Sequence, residues 1–320
     1  MIYEIARKSI NYTMIKRTIY LGNPYYVRVK NKQLVLQTPA AKGIDQILNR
    51  ELPLEDLGIL ILDNQQITLT HGVLQQMAAY NIALVSCDTN HMPASLFMPL
   101  EGHSILQERF RNQISASEPL KKQMWQQTMK AKIGNQAALL AKLGYTEESK
   151  SLRQWAAEVN SGDTLNLEGR AAVLYWKTIF SAYLPHFTRD RMGMFPNNLL
   201  NYAYTIIRAT AARSLVGSGM LPTFGIHHKN KYNAYCLADD IMEPYRVYAD
   251  DLVFNMLEEC RGKLIDLNKE SKAIILGLPA KEVFINELRS PMMVALQRTT
   301  SSLAQSFGGG TRKILYPVFE

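Results

Sequence analysis

Two histidines and two carboxylates fall close together in the second half of the chain. His227 and His228 are adjacent, in a segment whose glycines and proline predict a loop. Asp240 and Glu243 follow, three residues apart, which on a helix places both side chains on one face. Two carboxylates placed in this way repel each other unless a cation lies between them. Oxygen ligands with one imidazole suit Mg²⁺ or Mn²⁺, so this group of residues predicts a divalent-metal site.

A simpler interpretation of the same residues also exists. Carboxylates at the start of a helix often interact with the helix dipole and remain solvated. The spacing from His228 to the carboxylates matches no compact zinc motif such as HExxH. The loop and the carboxylates alone leave both interpretations open, and a further ligand must come from another part of the chain.

Glu168 is the candidate for that further ligand. Asn166 is suited to cap a helix, which places Glu168 in its first turn. A buried, unpaired carboxylate costs several kcal/mol, so Glu168 needs a partner, either a metal or an ordinary salt bridge, for example to Arg170 or Arg213. Burial is expected because Glu168 lies four residues before Ala172, on the same side of the helix as an apolar face. That face is formed by Ala172, Tyr175, Trp176 and Ile179.

The first hundred residues predict a small domain rich in β-strands. Alternating apolar residues predict a hairpin at 25–37 with Asn31 and Lys32 in its turn. Further strands are expected at 58–62, 66–70 and 82–87, and one helix at 73–80. We assign residues 1–100 to a β-sandwich-like N-terminal domain.

Long helical patterns follow, and we assign residues 104–320 to a larger all-α domain, which makes the fold class α+β. Ser117 is expected to cap the longest helix. Pro244 cannot donate a backbone hydrogen bond, so a helix there must start near Asp240 or kink. The glycine-rich tail from Gly308 predicts a flexible, basic end. Helices are expected at 106–115, 118–143, 147–159, 166–179, 197–217, 240–260, 269–276 and 282–305.

Composition limits the possible functions. The 320 residues are 47% hydrophobic and 20% charged, with a net charge of +8, which favours a polyanionic partner or serves solubility. Three widely spaced cysteines form neither a disulfide framework nor a zinc ribbon and suit a reducing cytoplasm. No apolar stretch is long enough for a membrane span, and no nucleotide-binding glycine motif follows a strand. The sequence therefore predicts a cytoplasmic protein without a membrane partner.

Three motifs occur in a fixed order along the chain: E-G-x-A-A-x-x-Y from Glu168, G-x-x-P-x-x-G-x-x-H ending at His228, and D-I-x-E-P-x-R from Asp240 to Arg246. Together they resemble the CRISPR-associated integrase of the spacer-acquisition module, a metal-dependent DNA endonuclease. The resemblance covers most of the chain. The run from Gly225 to Asn233 resembles most the type II branch of that family.

The resemblance implies a catalytic metal site for Mg²⁺ or Mn²⁺ formed by Glu168, His228 and Glu243. Asp240 matches the acidic position that supports the site. The family often has aspartate where Glu243 stands, so the longer side chain is a departure from its pattern. Of the two histidines, the spacing of the motif selects His228. The candidates for DNA binding are Arg170, Tyr175, His227, Lys229, Lys231 and Arg246.

The resemblance also implies a reaction and partners. A 3′-hydroxyl of a short double-stranded DNA fragment, the pre-spacer, would attack a phosphodiester of the repeat array. The N-terminal domain would help to form a homodimer, and two dimers would bind a small ferredoxin-like partner as a hetero-hexamer. Two other functions remain open from the residues themselves: a metal-dependent nuclease that cuts branched DNA with water, and a DNA-binding scaffold without catalytic activity.

Overall fold

The computed structural model describes residues 2–3, 16–39, 49–89, 93–100 and 105–320. The contacts between residues divide the chain into two compact units, Met1–Gly102 and His103–Glu320. Within the described residues, no helix combines the length and apolar character needed to cross a membrane. The three cysteines are free thiols.

In its described residues, the first unit contains two β-sheets and one α-helix. Strands β2, β6 and β8 run parallel in a five-stranded sheet with the order β1-β2-β6-β8-β9, and the four-stranded sheet has the order β5-β4-β3-β7. The elements are β1 (Ile2–Tyr3), β2 (Arg17–Leu21), β3 (Tyr26–Lys30), β4 (Gln33–Gln37), β5 (Asn49–Pro53), β6 (Leu57–Leu62), β7 (Thr68–Leu69), α1 (His71–Ala79), β8 (Ala83–Cys87) and β9 (Pro93–Phe97).

Both sheets and α1 contribute to one hydrophobic core, for example through Leu21, Leu36 and Met77. The predicted hairpin is confirmed: β3 and β4 pair antiparallel, and Asn31 and Lys32 in the turn have φ of 51° and 59°. Positive φ angles at both residues of a two-residue turn match the right-handed twist of the two strands that the turn joins. Although β6 and β7 are close in sequence, they belong to different sheets, so the chain passes from one sheet to the other at residues 63–67.

The second unit is mostly helical, and the predicted α+β class is confirmed. Short 3₁₀ turns occur at Leu54–Asp56 in the first unit and at Glu243–Tyr245 and Leu278–Ala280 in the second. The elements of the second unit are α2 (Leu106–Ile114), α3 (Glu118–Lys142), α4 (Thr146–Glu158), α5 (Leu167–Ile179), α6 (Asn197–Gly217), α7 (Cys236–Met242), α8 (Arg246–Glu259), α9 (Lys269–Ile275), β10 (Glu282–Ile285), β11 (Leu288–Pro291) and α10 (Met292–Phe307).

Two long helices organise this unit. Helix α6 is buried along most of its length and packs against α7, α8 and α10. Helix α3 begins where Ser117 Oγ accepts a hydrogen bond from the backbone N–H of Leu120 (3.4 Å), as the sequence predicted. It packs against α4, α5 and the 3₁₀ turn at Glu243–Tyr245. Helix α3 therefore lies between the segments that carry the candidate ligands.

The C-terminal region differs from the prediction in two ways. Residues 282–291, predicted to be helical, form the hairpin of β10 and β11, with Asn286 and Glu287 at positive φ in its turn. The end of the chain is not free: Asn135 Nδ2 donates to the carbonyl of Pro317 (3.1 Å), and Asn135 Oδ1 accepts from Phe319 N (3.1 Å). Buried Phe319 supplies the apolar contact that holds the tail, which the glycines before it conceal in the sequence.

Candidate active site

Asp240 organises the loop that carries the two histidines, residues 218–235. It lies on α7 and is fully buried. Its Oδ2 accepts hydrogen bonds from the backbone N–H groups of Ile226 (2.7 Å) and His227 (2.9 Å). Its Oδ1 lies 2.5 Å from His228 Nδ1 and accepts from His228 N (3.3 Å). A Cβ at position 225 would lie 2.7 Å from Asp240 Oδ2 and would collide with the carbonyl of His228, so only glycine permits this loop.

The two histidines have different surroundings. The hydrogen bond to Asp240 raises the pKa of His228 and engages Nδ1, which leaves Nε2 for another ligand. His227 stacks on the indole of Trp125, with ring centroids 4.1 Å apart and planes at 4°. Partial burial lowers the pKa of His227. Asp240 thus orients His228 in the way that a carboxylate orients a metal-ligating histidine, whereas His227 packs against α3.

Glu168 lies in the first turn of α5, as predicted, but its cap is another residue. The carboxylate of Asp163 accepts hydrogen bonds from Leu167 N (3.0 Å) and Glu168 N (2.9 Å). Asn166 instead adopts a left-handed conformation and makes no side-chain capping bond. The negative charge of Asp163 at the helix N-terminus stabilises this turn.

The buried face of α5 matches the predicted face at Tyr175 and Ile179 but not at Ala172 and Trp176. It passes through Leu167, Ala171 and Tyr175, whereas Trp176 is only half-buried. Glu168 therefore lies at the edge of the core, with its side chain one-third exposed. Its partner is neither of the arginines considered from the sequence: Lys132 Nζ, on α3, lies 2.6 Å from Glu168 Oε1.

Glu243 lies at the break between α7 and α8. The helix changes to a 3₁₀ turn at Glu243–Tyr245, because Pro244 lacks a backbone N–H, and the predicted kink is confirmed. Asn135 Nδ2 donates to the carbonyl of Pro244 (2.8 Å) and fixes this turn to α3. Glu243 Oε2 lies 2.8 Å from Lys132 Nζ, and Glu243 Oε1 lies 2.9 Å from a terminal nitrogen of Arg246.

Asp240 and Glu243 lie three residues apart but face different groups. Asp240 binds the histidine loop, while Glu243 shares Lys132 with Glu168. Burial raises the pKa of Glu243, but Arg246 and Lys132 outweigh burial, and the net shift is downward. Burial lowers the pKa of Lys132, but Glu243 and Glu168 outweigh it, and the net shift is upward. Glu243 and Lys132 are therefore both charged at neutral pH.

Glu168, Glu243 and His228 line one cleft of about 560 Å³, which we call the central cleft. Because both carboxylates contact Lys132 Nζ, their oxygens lie no farther apart than the sum of those two distances. Among the described residues, no three His, Cys, Asp or Glu side chains already form a metal cluster. The donor set nevertheless fits a hard divalent cation, since two carboxylates from distant segments converge beside an oriented imidazole. Glu243 Oε2 is buried and contacts Lys132 without a hydrogen bond of good geometry.

Three arginines that the sequence did not single out also line the central cleft: Arg189, Arg191 and Arg208. Arg189 lies over the ring of Tyr204 (5.3 Å). Arg208 Nε donates to Asp239 Oδ1 (2.6 Å). No motif marks these residues, because they come from the segment before α6 and from α6 itself and meet only in the folded chain.

The candidates for DNA binding are not equivalent in the structure. Tyr175 is fully buried and donates to Asp250 Oδ2 (2.8 Å), so its predicted role in DNA binding is wrong. The guanidinium of Arg170 lies over the ring of Trp155, 4.8 Å from its centroid. Arg246 lines the central cleft, where it pairs with Glu243.

The remaining candidates are on the histidine loop. Lys229 and Lys231 are exposed; Lys229 Nζ lies 3.2 Å from a carboxylate oxygen of Glu118, and Lys231 Nζ lies 4.8 Å from the ring centroid of Tyr232. His227 is tied to Trp125 by stacking. The two lysines therefore lie on the exposed part of the loop that carries His228.

Asp250 forms the floor of the same cleft, between two tyrosines. Its carboxylate accepts hydrogen bonds from the hydroxyl groups of Tyr175 and Tyr204. Burial raises the pKa of Asp250 to about 6. Arg246, which pairs with Glu243, stacks over the ring of Tyr204, 4.8 Å from its centroid. Tyr204 therefore contacts both Asp250 and the arginine that binds Glu243.

Comparison with known proteins identifies the family. Residues 19–290 match the family model described as CRISPR associated protein Cas1. A protein of Neisseria meningitidis named CRISPR-associated endonuclease Cas1 is 32% identical over 90% of this chain and 91% of its own length. A relative of Pyrobaculum aerophilum with a corresponding name is 24% identical over 88% of this chain and 96% of its own length.

Solved structures share the fold. A casposase bound to its integration product matches with a TM-score of 0.76 at 18% identity over 93% of this chain and 92% of that chain. A CAS1 protein from Thermotoga maritima matches with a TM-score of 0.72 at 17% identity over 95% of this chain and 99% of that chain. A Cas6-RT-Cas1–Cas2 complex matches with a TM-score of 0.73 at 20% identity over 96% of this chain and 36% of that chain.

Proposed function

The chain belongs to the Cas1 family of CRISPR-associated proteins, and on that premise we propose that it is a metal-dependent DNA endonuclease and integrase. It would insert short DNA fragments into a CRISPR repeat array. The observation that carries the proposal is the convergence of Glu168 and Glu243 on one cation, beside a histidine that Asp240 orients. The Neisseria relative is named an endonuclease, and the casposase of the same fold is bound to its integration product, which supports an activity on DNA.

The proposed chemistry needs a metal and a set of phosphate-binding groups. Glu168, His228 and Glu243 would hold Mg²⁺ or Mn²⁺, which would polarise the scissile phosphodiester. Asp240 keeps Nε2 of His228 available by engaging Nδ1. Positive side chains on the cleft walls would bind DNA phosphates without regard to sequence. These are Arg189, Arg191, Arg208 and Arg246 in the cleft and Lys229 and Lys231 on the loop.

The proposed partners follow from the same family membership. They are double-stranded DNA, as pre-spacer and repeat array, a second copy of this chain, and a small Cas2-type partner in a hetero-hexamer. A Cas6-RT-Cas1–Cas2 complex and a Cas1–DNA complex are among the structures that share the fold, which supports a Cas2-type protein and DNA as partners. The formal charge of +8 suits a polyanionic ligand.

A plasmid integration assay tests the proposal. The purified chain, with its Cas2-type partner, is given a labelled pre-spacer and a plasmid that carries the repeat. Joined product is expected in Mn²⁺ and none in EDTA. Glu168→Gln should abolish joining while DNA affinity remains, because the variant loses a ligand charge and little volume. Glu147→Gln, an exposed carboxylate in the first turn of α4, is the matched control and should remain active.

Two outcomes would replace the proposal by another function. Cutting of branched DNA in Mn²⁺ without any joined product would indicate a nuclease that uses water. DNA binding with no metal-dependent reaction, together with a lower melting temperature for Glu168→Gln, would indicate a scaffold in which the carboxylate is structural.

A further inference from the structure

Lys132 occupies the position between the two carboxylates that a shared cation would take. Its Nζ lies 2.6 Å from Glu168 Oε1 and 2.8 Å from Glu243 Oε2. Its side chain is 13% exposed, so the ammonium group is largely removed from solvent. With Arg246 also on Glu243, two positive charges balance the two carboxylates. The cluster is therefore electrically neutral before any metal binds.

A divalent cation and the Lys132 ammonium cannot use these oxygens together. Metal–oxygen distances of about 2.0–2.6 Å would place the cation where Nζ now lies. Two positive charges at that distance, in a poorly hydrated cluster, would also repel each other strongly. Metal binding thus requires Lys132 to leave the carboxylates.

The displaced ammonium needs a new anionic partner. Arg189, Arg191 and Arg246 line the same cleft and add positive charge. The other carboxylates of the cleft, Asp239 and Asp250, are already bound by Arg208 and by two tyrosines. A lysine is a flexible point charge that binds a phosphate readily. A phosphodiester of DNA in the cleft supplies the required charge at the place where the metal would act.

We propose that Lys132 is a positioning residue that holds Glu168 and Glu243 together in the metal-free protein and moves to a DNA phosphate when the metal binds. This inference rests on the proposed function, since it concerns the same site. Lys132 competes with the metal when DNA is absent and assists it when DNA is present. Metal and DNA then bind cooperatively, and each strengthens the other by the same factor.

Calorimetric titration of Mn²⁺ into the protein without DNA tests whether Lys132 competes with the metal. Lys132→Met removes the charge and keeps roughly the length of the side chain, so Mn²⁺ should bind at least about tenfold more tightly. This corresponds to a gain of about 1.4 kcal/mol in the free energy of binding. Lys130→Met, at an exposed position on the same helix, is the matched control and should bind as the wild type does. If Lys132→Met does not fold, Lys132→Gln replaces it.

Fluorescence anisotropy with a short labelled duplex tests whether Lys132 moves to a DNA phosphate when the metal binds. Mn²⁺ should raise the DNA affinity of the wild type and of Lys130→Met by the same factor. Any effect of Mn²⁺ on the duplex itself is common to all variants. In Lys132→Met the increase should be smaller than in the wild type, because the metal can still contact a phosphate but no ammonium is released to one.

The outcomes separate this inference from the proposed function. If Glu168→Gln weakens Mn²⁺ binding but Lys132→Met binds Mn²⁺ no more tightly than the wild type, Lys132 does not compete and this inference fails alone. If Lys132→Met binds Mn²⁺ more tightly but keeps the full increase in DNA affinity, the transfer to a phosphate is wrong. If neither the wild type nor Lys132→Met binds Mn²⁺, the metal dependence in the proposed function fails with it.

Discussion

Oδ1 of Asp240 lies 2.5 Å from Nδ1 of His228, and the same carboxylate also accepts three backbone N–H groups of the loop that carries this histidine. One buried side chain therefore sets both the path of the loop and the orientation of the ring. A second carboxylate that orients a ligating histidine is a common arrangement around metals in proteins. In this fold the orienting residue and Glu243 lie three residues apart but serve different partners.

Replacing Asp240 by asparagine should destabilise the protein and abolish strand joining. The amide keeps one acceptor oxygen but puts a donor against N–H groups, so we expect a loss of about 2–3 kcal/mol in the free energy of unfolding. Urea denaturation measures the stability, and plasmid integration measures the activity. An Asp240→Asn variant with wild-type stability would show that these contacts do not hold the loop.

The adjacent histidines should differ when each is replaced by alanine. His228→Ala should abolish joining and Mn²⁺-dependent cutting while DNA affinity remains, because it removes the oriented imidazole. His227→Ala should retain most activity and lose about 0.5–1.5 kcal/mol of stability with the Trp125 stack. Plasmid integration, a DNA titration and a melting curve are compared for both. An inactive His227→Ala beside an active His228→Ala would reverse the assignment.

Asp250 should make stability depend on pH in a direction opposite to that of most acidic residues. Its pKa in the folded state, about 6, lies above the ordinary value of 3.8, so the folded state holds its proton more tightly. The free energy of unfolding of the wild type, relative to Asp250→Asn, should therefore fall as the pH rises from about 4 to about 6 and stay level above that. Urea denaturation of both proteins across this range measures the difference. A flat or rising difference would mean that Asp250 is ionised in the fold.

Arg191 should contribute to DNA binding through a phosphate. It is exposed at the edge of the central cleft, so Arg191→Ala should weaken binding equally for different sequences and lower the salt dependence by about one counterion. Anisotropy titrations over a range of salt concentrations measure this slope. Tyr175→Phe is the contrasting variant: it should leave the slope unchanged and lower stability by about 1–2 kcal/mol, because its hydroxyl donates to buried Asp250. An unchanged slope in Arg191→Ala would remove this residue from the DNA path.

Much of the local structure was set by the sequence itself. The hairpin at Asn31 and Lys32, the cap at Ser117 and the break at Pro244 all follow from the conformations that these residues permit. The order of the motifs around Glu168, His228 and Glu243 identified the family. These features depend on residues near one another in the chain, so their physical causes can be read there.

Tertiary structure alone decided which side chains meet. Lys132 is inconspicuous in a long helical pattern, yet packing of α3 against α5 and the Glu243 turn makes it the shared partner of two distant carboxylates. The same is true of Tyr175, whose burial follows from the apolar face of α5 but whose partner Asp250 does not, and of the tail that Asn135 holds. Local periodicity states which face of a helix is apolar, but the partner of a buried charge depends on segments brought together from elsewhere in the chain.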